Sequence, residues 1–286
     1  MWIIFAFGSA FFSGLTAVLA KIGLKGVDSN VATAIRTVVI LVLSWLVVLS
    51  VGSYVTISQI SAKTLIFLIF SGFATGASWL FYFKALQLGD VNKVTPIDKS
   101  SVILTMILGM SILGETVSVL KIMGMFMIGL GTYLMITKKK TETTNKPQLK
   151  WLIYAFLSAL FASLTAILGK IGIENVESNL GTAIRTIVVL ILAWVIVFIT
   201  NKQSELKTIS KRNYLFLILS GITTCLAWLS YYRALQTGPA SVVVPIDKLS
   251  VVVAVIFAFF VLGERLTLKS FIGLVLIIIG TLVLLI

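Results

Sequence analysis

The sequence has no histidine, one cysteine and only 12% charged residues. Zinc sites, Cys–His nucleophile pairs and Ser-His-Asp triads need histidine or several cysteines, so this composition excludes them. A single cysteine also excludes a disulfide framework within the chain. We therefore expect no enzyme activity, no metal and no cofactor.

Most of the sequence consists of apolar residues. Of the 286 residues 59% are hydrophobic, and the mean hydropathy is +1.10, whereas a soluble domain carries roughly 25% charged residues. These values predict a protein whose solvent is the lipid bilayer. The net charge of +13 could indicate a nucleic-acid partner, but membrane proteins concentrate Lys and Arg in their cytoplasmic loops. We interpret the charge as a determinant of orientation and expect no nucleic-acid binding.

Ten apolar stretches are long enough to cross a hydrocarbon core, which takes about 20 helical residues. They are 2–24, 31–52, 64–83, 94–113, 118–137, 151–172, 180–200, 213–232, 242–262 and 267–286. The segment 138–150 is polar, contains Pro147 and has the composition of a linker. It separates a first repeat, 1–137, from a second, 151–286.

The two halves of the chain are copies of one another at an offset of 149 residues. The block TAIRT occurs at Thr33–Thr37 and Thr182–Thr186, and PIDK occurs at Pro96–Lys99 and Pro245–Lys248. Each copy holds five predicted helices, an odd number, so the second copy must have the opposite orientation in the membrane. The sequence thus predicts an all-α membrane protein whose ten transmembrane helices form two inverted five-helix repeats.

The distribution of basic residues supports this inversion. Outside the predicted helix interiors, fifteen Lys and Arg fall in the loops after spans 1, 3, 5, 7 and 9, and four fall on the opposite side. The loop after span 2 is uncharged, whereas the homologous loop after span 7 carries four basic residues. By the positive-inside rule, the linker is predicted to be cytoplasmic and both termini external.

Both PIDK copies place a carboxylate and an amine at membrane depth, where an ionisable residue is a functional candidate by default. Asp98 and Asp247 are candidates to exchange a proton or to pair with a cationic substrate, beside Lys99 and Lys248. Pro96 lacks an amide hydrogen, so it either begins its helix or breaks it. The alternative is that Asp98 caps the helix while Lys99 extends to the interface. Inversion is expected to place one Asp near each face of the pathway.

Four further basic residues lie at membrane depth. Arg36 and Arg185, within TAIRT, either bind an anionic group or form a structural Arg–Asp pair. Lys21 and Lys170, near the ends of spans 1 and 6, are either pathway residues or side chains that snorkel to the interface.

Spans 3 and 8 carry equivalent aromatic pairs, Trp79 with Tyr82 and Trp228 with Tyr231. Residues three apart share a helix face, so each pair is a candidate wall for a cation or a ring. The alternative is that they are ordinary aromatic residues of the membrane interface.

Other repeated residues are expected to be structural. We expect the glycines of spans 5 and 10 to allow close helix approach, and two glutamates to stabilise helix ends. These residues are Gly124, Gly131, Gly273, Gly280, Glu115 and Glu264.

In these motifs the chain resembles the EamA-type transporters of the drug/metabolite transporter superfamily. The resemblance rests on the Arg of TAIRT, the run W-x-x-Y-x-x-A-L-Q-x-G from Trp79 to Gly89, its copy from Trp228 to Gly238, and the P-I-D-K-x-S-V segment. The resemblance covers nearly the whole chain. It implies ten helices around a central cavity and the transport, often the export, of small metabolites.

We therefore expect a secondary transporter, proton-coupled or facilitative, for a small polar metabolite in a bacterial cytoplasmic membrane. No Walker-type phosphate-binding motif is present in the sequence, so we expect no direct use of ATP. The expected partners are a small-molecule substrate and membrane lipid. The sequence does not decide between a monomer and a homodimer. The alternatives are a lipid headgroup flippase or scramblase and a membrane scaffold without transport.

Overall fold

The computed structural model describes residues 2–113, 118–136, 150–173, 176–237, 243 and 246–284, and these residues fold almost entirely into helices. The predicted linker lies outside the described residues except for Lys150, and so does Glu115. In the first half the α-helices are α1 (Trp2–Gly23), α2 (Ser29–Val51), α3 (Ala62–Leu88), α4 (Val91–Lys99), α5 (Ser101–Leu113) and α6 (Val119–Ile136).

The second half repeats this order where it is described. Its helices are α7 (Lys150–Gly172), α8 (Ser178–Ile199), α9 (Lys211–Thr237), α10 (Ser250–Phe257) and α11 (Leu268–Val283). Short 3-10 helices follow α2 and α8 at the equivalent positions Ser53–Gln59 and Gln203–Lys207, and a π-helical turn (Ala258–Leu262) continues α10.

Local sequence signals set the helix ends. The Asp28 carboxylate accepts a hydrogen bond from the amide of Asn30 at the start of α2, and Ser61 and Thr267 cap α3 and α11 in the same way. Side-chain oxygens at these positions satisfy amides that have no partner inside the helix. Gly52 ends α2 with φ of 78°, a left-handed conformation that glycine adopts without a Cβ penalty.

The prediction for Pro96 is wrong in its position. Pro96 lies inside α4, which begins at Val91, and the helix is interrupted four residues after the proline, at Ser100. The equivalent residue of the second half, Leu249, is a turn residue between 246–248 and α10. A proline forfeits one backbone hydrogen bond and disturbs the turn before it, and α4 ends within one turn after Pro96. Spans 4 and 9 are therefore broken helices.

Helices of the two halves pack in matched pairs. α3 packs on α7 and α1 on α9, which are equivalent contacts with the halves exchanged, while α2 packs on α8 and α6 on α11. A Cβ atom at Gly131 would lie 2.5 Å from the carbonyl oxygen of Gly273, and one at Gly124 would lie 2.9 Å from that of Gly280. The prediction that these glycines allow close helix approach is confirmed.

The outer surface of the bundle is apolar. Ile4, Leu268 and Phe260 are 75%, 77% and 78% exposed, and seven of the described helices are long and apolar enough to cross a membrane. Such a surface is stable only in hydrocarbon. The protein is an all-helical, multi-pass membrane protein.

Candidate functional site

Equivalent residues of the two halves meet at the centre of the bundle. The hydroxyl of Ser71 in α3 donates to the carbonyl of Thr165 in α7 at 3.0 Å. The hydroxyl of Ser220 in α9 donates to the carbonyl of Thr16 in α1 at 3.1 Å. At the offset of 149 residues, Ser220 is equivalent to Ser71 and Thr16 is equivalent to Thr165. Each bond is therefore the image of the other when the halves are exchanged. The central contacts thus have a two-fold pattern.

Arg36 and Arg185 obey the same pattern, and neither forms the predicted pair with an aspartate. Arg36 donates from Nη2 to Thr224 Oγ1, and Arg185 donates from Nη2 to Thr75 Oγ1, both at 2.7 Å. The two arginines are only 1% and 3% exposed. Among the described residues, no carboxylate lies within salt-bridge distance of either guanidinium. The Arg–Asp alternative is wrong because each Asp is held elsewhere, by a serine of the other half.

Aromatic rings cover the two guanidinium groups differently. Arg36 lies 3.8 Å from the centroid of the Phe83 ring. Arg185 lies 5.1 Å from the Trp228 ring and 5.4 Å from the Tyr232 ring. A cation over an aromatic face is attracted by the ring quadrupole. Phe83 and Tyr232 are equivalent positions, so each half places an aromatic ring over the guanidinium, at different distances and with a second ring over Arg185.

The predicted aromatic wall is present inside the bundle. The rings of Trp79 and Trp228, which are equivalent residues, meet with 6.4 Å between their centroids. Tyr231 packs edge-on against Trp228 at 6.0 Å, and the Tyr82 hydroxyl contacts Thr95 Oγ1 at 3.3 Å. The interface alternative is wrong for the two tryptophans, because they contact one another across the centre of the bundle.

The PIDK carboxylates are held by serines of the opposite half. Ser158 donates to Asp98 Oδ1 at 2.7 Å, and Ser9 donates to Asp247 Oδ1 at 2.6 Å. Asp98 lies in the last turn of α4 and does not cap its start. The proposed N-terminal capping role is therefore wrong, because α4 begins seven residues earlier.

The amines of the two PIDK copies complete one cluster of charges. Lys248 lies within electrostatic range of Lys99, Asp247 and Asp98. Both aspartates therefore act on one amine, although Asp98 is bound by a serine of α7 and Asp247 by a serine of α1. That each Asp lies near one face of the pathway stays a prediction. The charged residues of both copies stand directly before the interruptions at Ser100 and Leu249.

Lys21 does not snorkel to the interface. Its Nζ donates to the carbonyls of Leu86 and Gly89 at the C-terminal end of α3, where carbonyl groups have no partner inside the helix. The prediction of snorkelling is wrong because α3 ends beside α1 and supplies acceptors. Lys170 lies near the end of α7 and its side chain is exposed.

Glu264 of the second half stabilises the start of α4. Its two carboxylate oxygens accept hydrogen bonds from the amides of Val91 and Asn92, each at 3.0 Å. Burial raises the pKa of this carboxyl, while the two backbone hydrogen bonds lower it. The expected role of Glu264 at a helix end is confirmed, although the helix belongs to the other half.

A narrow cavity lies beside the tryptophan pair. Its volume of ≈ 10 Å³ is about that needed by one water molecule. The lining residues are Ile40, Thr75, Trp79, Thr182, Arg185, Thr186, Val189 and Trp228. This cavity is too small for a metabolite, and its wall combines threonine hydroxyls, two indole rings and one guanidinium.

The sequence analysis did not identify several residues that bind the charged groups of the site. Thr75 and Thr224 bind the arginines, Ser9 and Ser158 bind the aspartates, and the rings at equivalent positions 83 and 232 cover the guanidinium groups. One signal could have found the four hydroxyls, since they are small polar residues repeated at the same offset within apolar helices.

A polar, aromatic-lined centre enclosed by membrane-crossing helices from two similar halves defines a multi-pass membrane transporter. The model of the EamA-like transporter family matches residues 1–137 and again 149–286. The chain belongs to this family, which is a family of transporters and not of enzymes.

Two bacterial proteins are similar in sequence. An uncharacterized transporter in the cobO 3' region of Sinorhizobium sp is 43% identical over 134 residues, which are 47% of this chain and 95% of that protein. It therefore corresponds to a single repeat. The uncharacterized transporter YxxF of Bacillus subtilis (strain 168) is 26% identical over 237 residues, 81% of this chain and 73% of that protein.

The fold has a solved counterpart. A protein known from its crystal structure superimposes with a TM-score of 0.75 over 98% of this chain and 94% of that chain, at 15% identity. At this identity the likeness concerns the fold alone.

Proposed function

We propose that this chain is a secondary transporter that exports a small polar metabolite across a bacterial cytoplasmic membrane by alternating access. Residues 1–137 and 151–286 form its two inverted five-helix repeats, joined by the cytoplasmic linker 138–150. The transport is either proton-coupled or facilitative, and the helices move around the central charges and aromatic rings described above.

The exchange pattern of the central contacts carries this proposal. Three kinds of hydrogen bond recur with the halves exchanged: serine to helix carbonyl, arginine to threonine, and serine to aspartate. Exchanging the halves returns the same set of contacts, so a movement that opens the centre to one side has an equivalent movement of nearly equal energy that opens it to the other. Alternating access needs two such states, open to opposite sides of the membrane.

The aspartates supply a route for proton coupling. Asp98 and Asp247 each accept one serine hydroxyl, lie near a shared pair of amines and border the central region. A carboxyl group inside a membrane transporter is suited to carry a proton between the two states. A facilitative mechanism would leave these residues to orient the substrate.

Flux from proteoliposomes tests the proposal. The purified protein is reconstituted with a panel of labelled metabolites inside, and release is measured with and without an imposed pH gradient. We expect at least one solute to leave faster than from protein-free liposomes. Translocation of lipids with fluorescent headgroups between the leaflets, without solute flux, would contradict the proposal. The absence of both solute flux and lipid translocation would also contradict it.

Headgroup translocation is the second candidate, because one groove on the surface suits a lipid. It has a volume of ≈ 360 Å³ and lies between α1, α9 and the π-helical turn. Its wall is apolar, with Lys25 and Arg212 at the end predicted to be cytoplasmic, and the nearby Val261 is 52% exposed. The lipid arm of the flux assay separates this candidate from solute transport.

A further inference from the structure

The centre of the bundle carries more positive than negative charge. Lys248 interacts electrostatically with Lys99, Asp247 and Asp98, and the formal charges of these two amines and two carboxylates sum to zero. Arg36 and Arg185 remain, and among the described residues neither has a carboxylate partner. Burying a cation without a counter-ion is costly. The rings over each guanidinium recover part of this cost, but they supply no negative charge.

The two arginines also keep unused hydrogen-bond donors. Nε and Nη1 of Arg36 and Nε of Arg185 are buried and have no hydrogen-bond partner. Buried polar groups are nearly always bonded in native structures, so an unbonded donor needs an explanation. A guanidinium with free donors matches the planar oxygen pair of a carboxylate or phosphate.

Only one of the two guanidinium groups borders the central cavity in this conformation. Arg185 lines it together with Thr75, Trp79 and Trp228, while Arg36 does not. Arg185 is 3% exposed, and its position is fixed by the 2.7 Å bond to Thr75 and by two rings. A fixed cation on the wall of a cavity is a preorganised anion site, since little ordering is needed on binding.

Resting on the transport function proposed above, we infer that the substrate is a small organic anion whose carboxylate or phosphate group binds the Arg185 guanidinium. The flat or apolar body of this substrate packs against Trp79 and Trp228, and the hydroxyls of Thr182 and Thr186 on the same wall bind its remaining polar atoms. Entry of a substrate widens the cavity, which now has room for about one water.

Four probes with one ring and different charge test this inference on the purified full-length protein. Benzoate and phenyl phosphate are anions at pH 7.5, benzamide is neutral and benzylamine is a cation. We expect at least one of the two anions to raise the apparent melting temperature of the protein by about 2 °C or more at saturation. The same anion should change the tryptophan fluorescence. Benzamide and benzylamine should do neither, because they offer no negative charge to Arg185.

Variants locate the effect. Arg185→Gln should weaken anion binding about tenfold or more, while Arg185→Lys, which keeps the charge and loses the planar fork, should weaken it less. The matched control is Arg265→Gln, the same change at an exposed residue that lines neither the central cavity nor the surface groove, which should bind anions as the wild type does. The comparison of the four probes uses only the wild-type protein. It therefore shows whether the protein prefers anions even if Arg185→Gln does not fold.

The outcomes separate this inference from the transport function. Stabilisation by benzylamine or benzamide but by neither anion would overturn the inference, as would no stabilisation by any probe. If the flux assay then shows export of a cationic or neutral solute, transport stands and only the anion site falls. Anion binding that depends on Arg185, without flux of any solute, would retain the site and overturn the transport function.

Discussion

Adding a single methyl group at Gly131 tests the close packing of α6 on α11. A Cβ atom there would lie 2.5 Å from the carbonyl oxygen of Gly273, 2.9 Å from Ile277 Cγ1 and 3.0 Å from Ile277 N. Two of these three neighbours are backbone atoms, which cannot rotate away. Gly131→Ala therefore forces the two helices apart.

Gly129, two residues earlier in α6, provides a matched control. A Cβ atom at Gly129 would meet only Ile103 Cδ1, at 3.7 Å, an ordinary contact. Replacing glycine by alanine inside a helix gains about 1 kcal/mol of helix propensity at either site, so this gain cancels when the two variants are compared. The overpacking at Gly131 costs about 1–3 kcal/mol. We expect Gly131→Ala to be less stable than Gly129→Ala by this amount.

The assay is thermal unfolding of both variants and the wild type in one detergent, followed by the loss of monodisperse protein in size-exclusion chromatography. Gly129→Ala should match or exceed the wild type, and Gly131→Ala should melt at a lower temperature than Gly129→Ala. Equal melting temperatures of the two variants would refute the close packing of these helices.

Three further predictions concern the polar groups. Asp247→Asn should retain substrate exchange and lose proton-driven accumulation in proteoliposomes, and full accumulation by this variant would show that Asp247 carries no proton. Thr75→Val should lower the free energy of unfolding by about 1–3 kcal/mol, because it removes the acceptor of a buried guanidinium, whereas the exposed Thr200→Val should change it little. Burial raises the pKa of Glu264 above its ordinary value of 4.5, so the folded protein retains a proton that the unfolded chain has lost. Its stability relative to Glu264→Gln should therefore fall as the pH rises from about 4.5 through the folded pKa, and a rise measured by thermal unfolding would contradict this.

The helices and the repeat could be predicted from the sequence because both depend on local or linear signals. Hydropathy located the apolar stretches that became α1, α2 and α3, and the offset of 149 residues identified equivalent positions. The spacing of Gly124 and Gly131 likewise predicted a packing face without knowledge of the partner helix. These inferences need no contact between distant residues.

The partners within the site could not be predicted, because they depend on how the halves pack. A structural pair with an aspartate was one alternative for Arg36, but its guanidinium donates to Thr224 of α9. Lys21 has acceptors only because α3 ends beside α1. The start of α4 is capped by Glu264, which lies 173 positions from Val91 in the chain and belongs to the other half.

The proposed mechanism requires that the two halves have opposite orientations in the membrane, and cysteine labelling tests this requirement most directly. Ser58 and Lys207 are equivalent exposed residues in the short helices that follow α2 and α8. On a background with Cys225→Ser, an impermeant maleimide should label Ser58→Cys in intact cells, and should label Lys207→Cys only after the membrane is permeabilised. Labelling of both from the same side would contradict the inversion and the alternating access built on it.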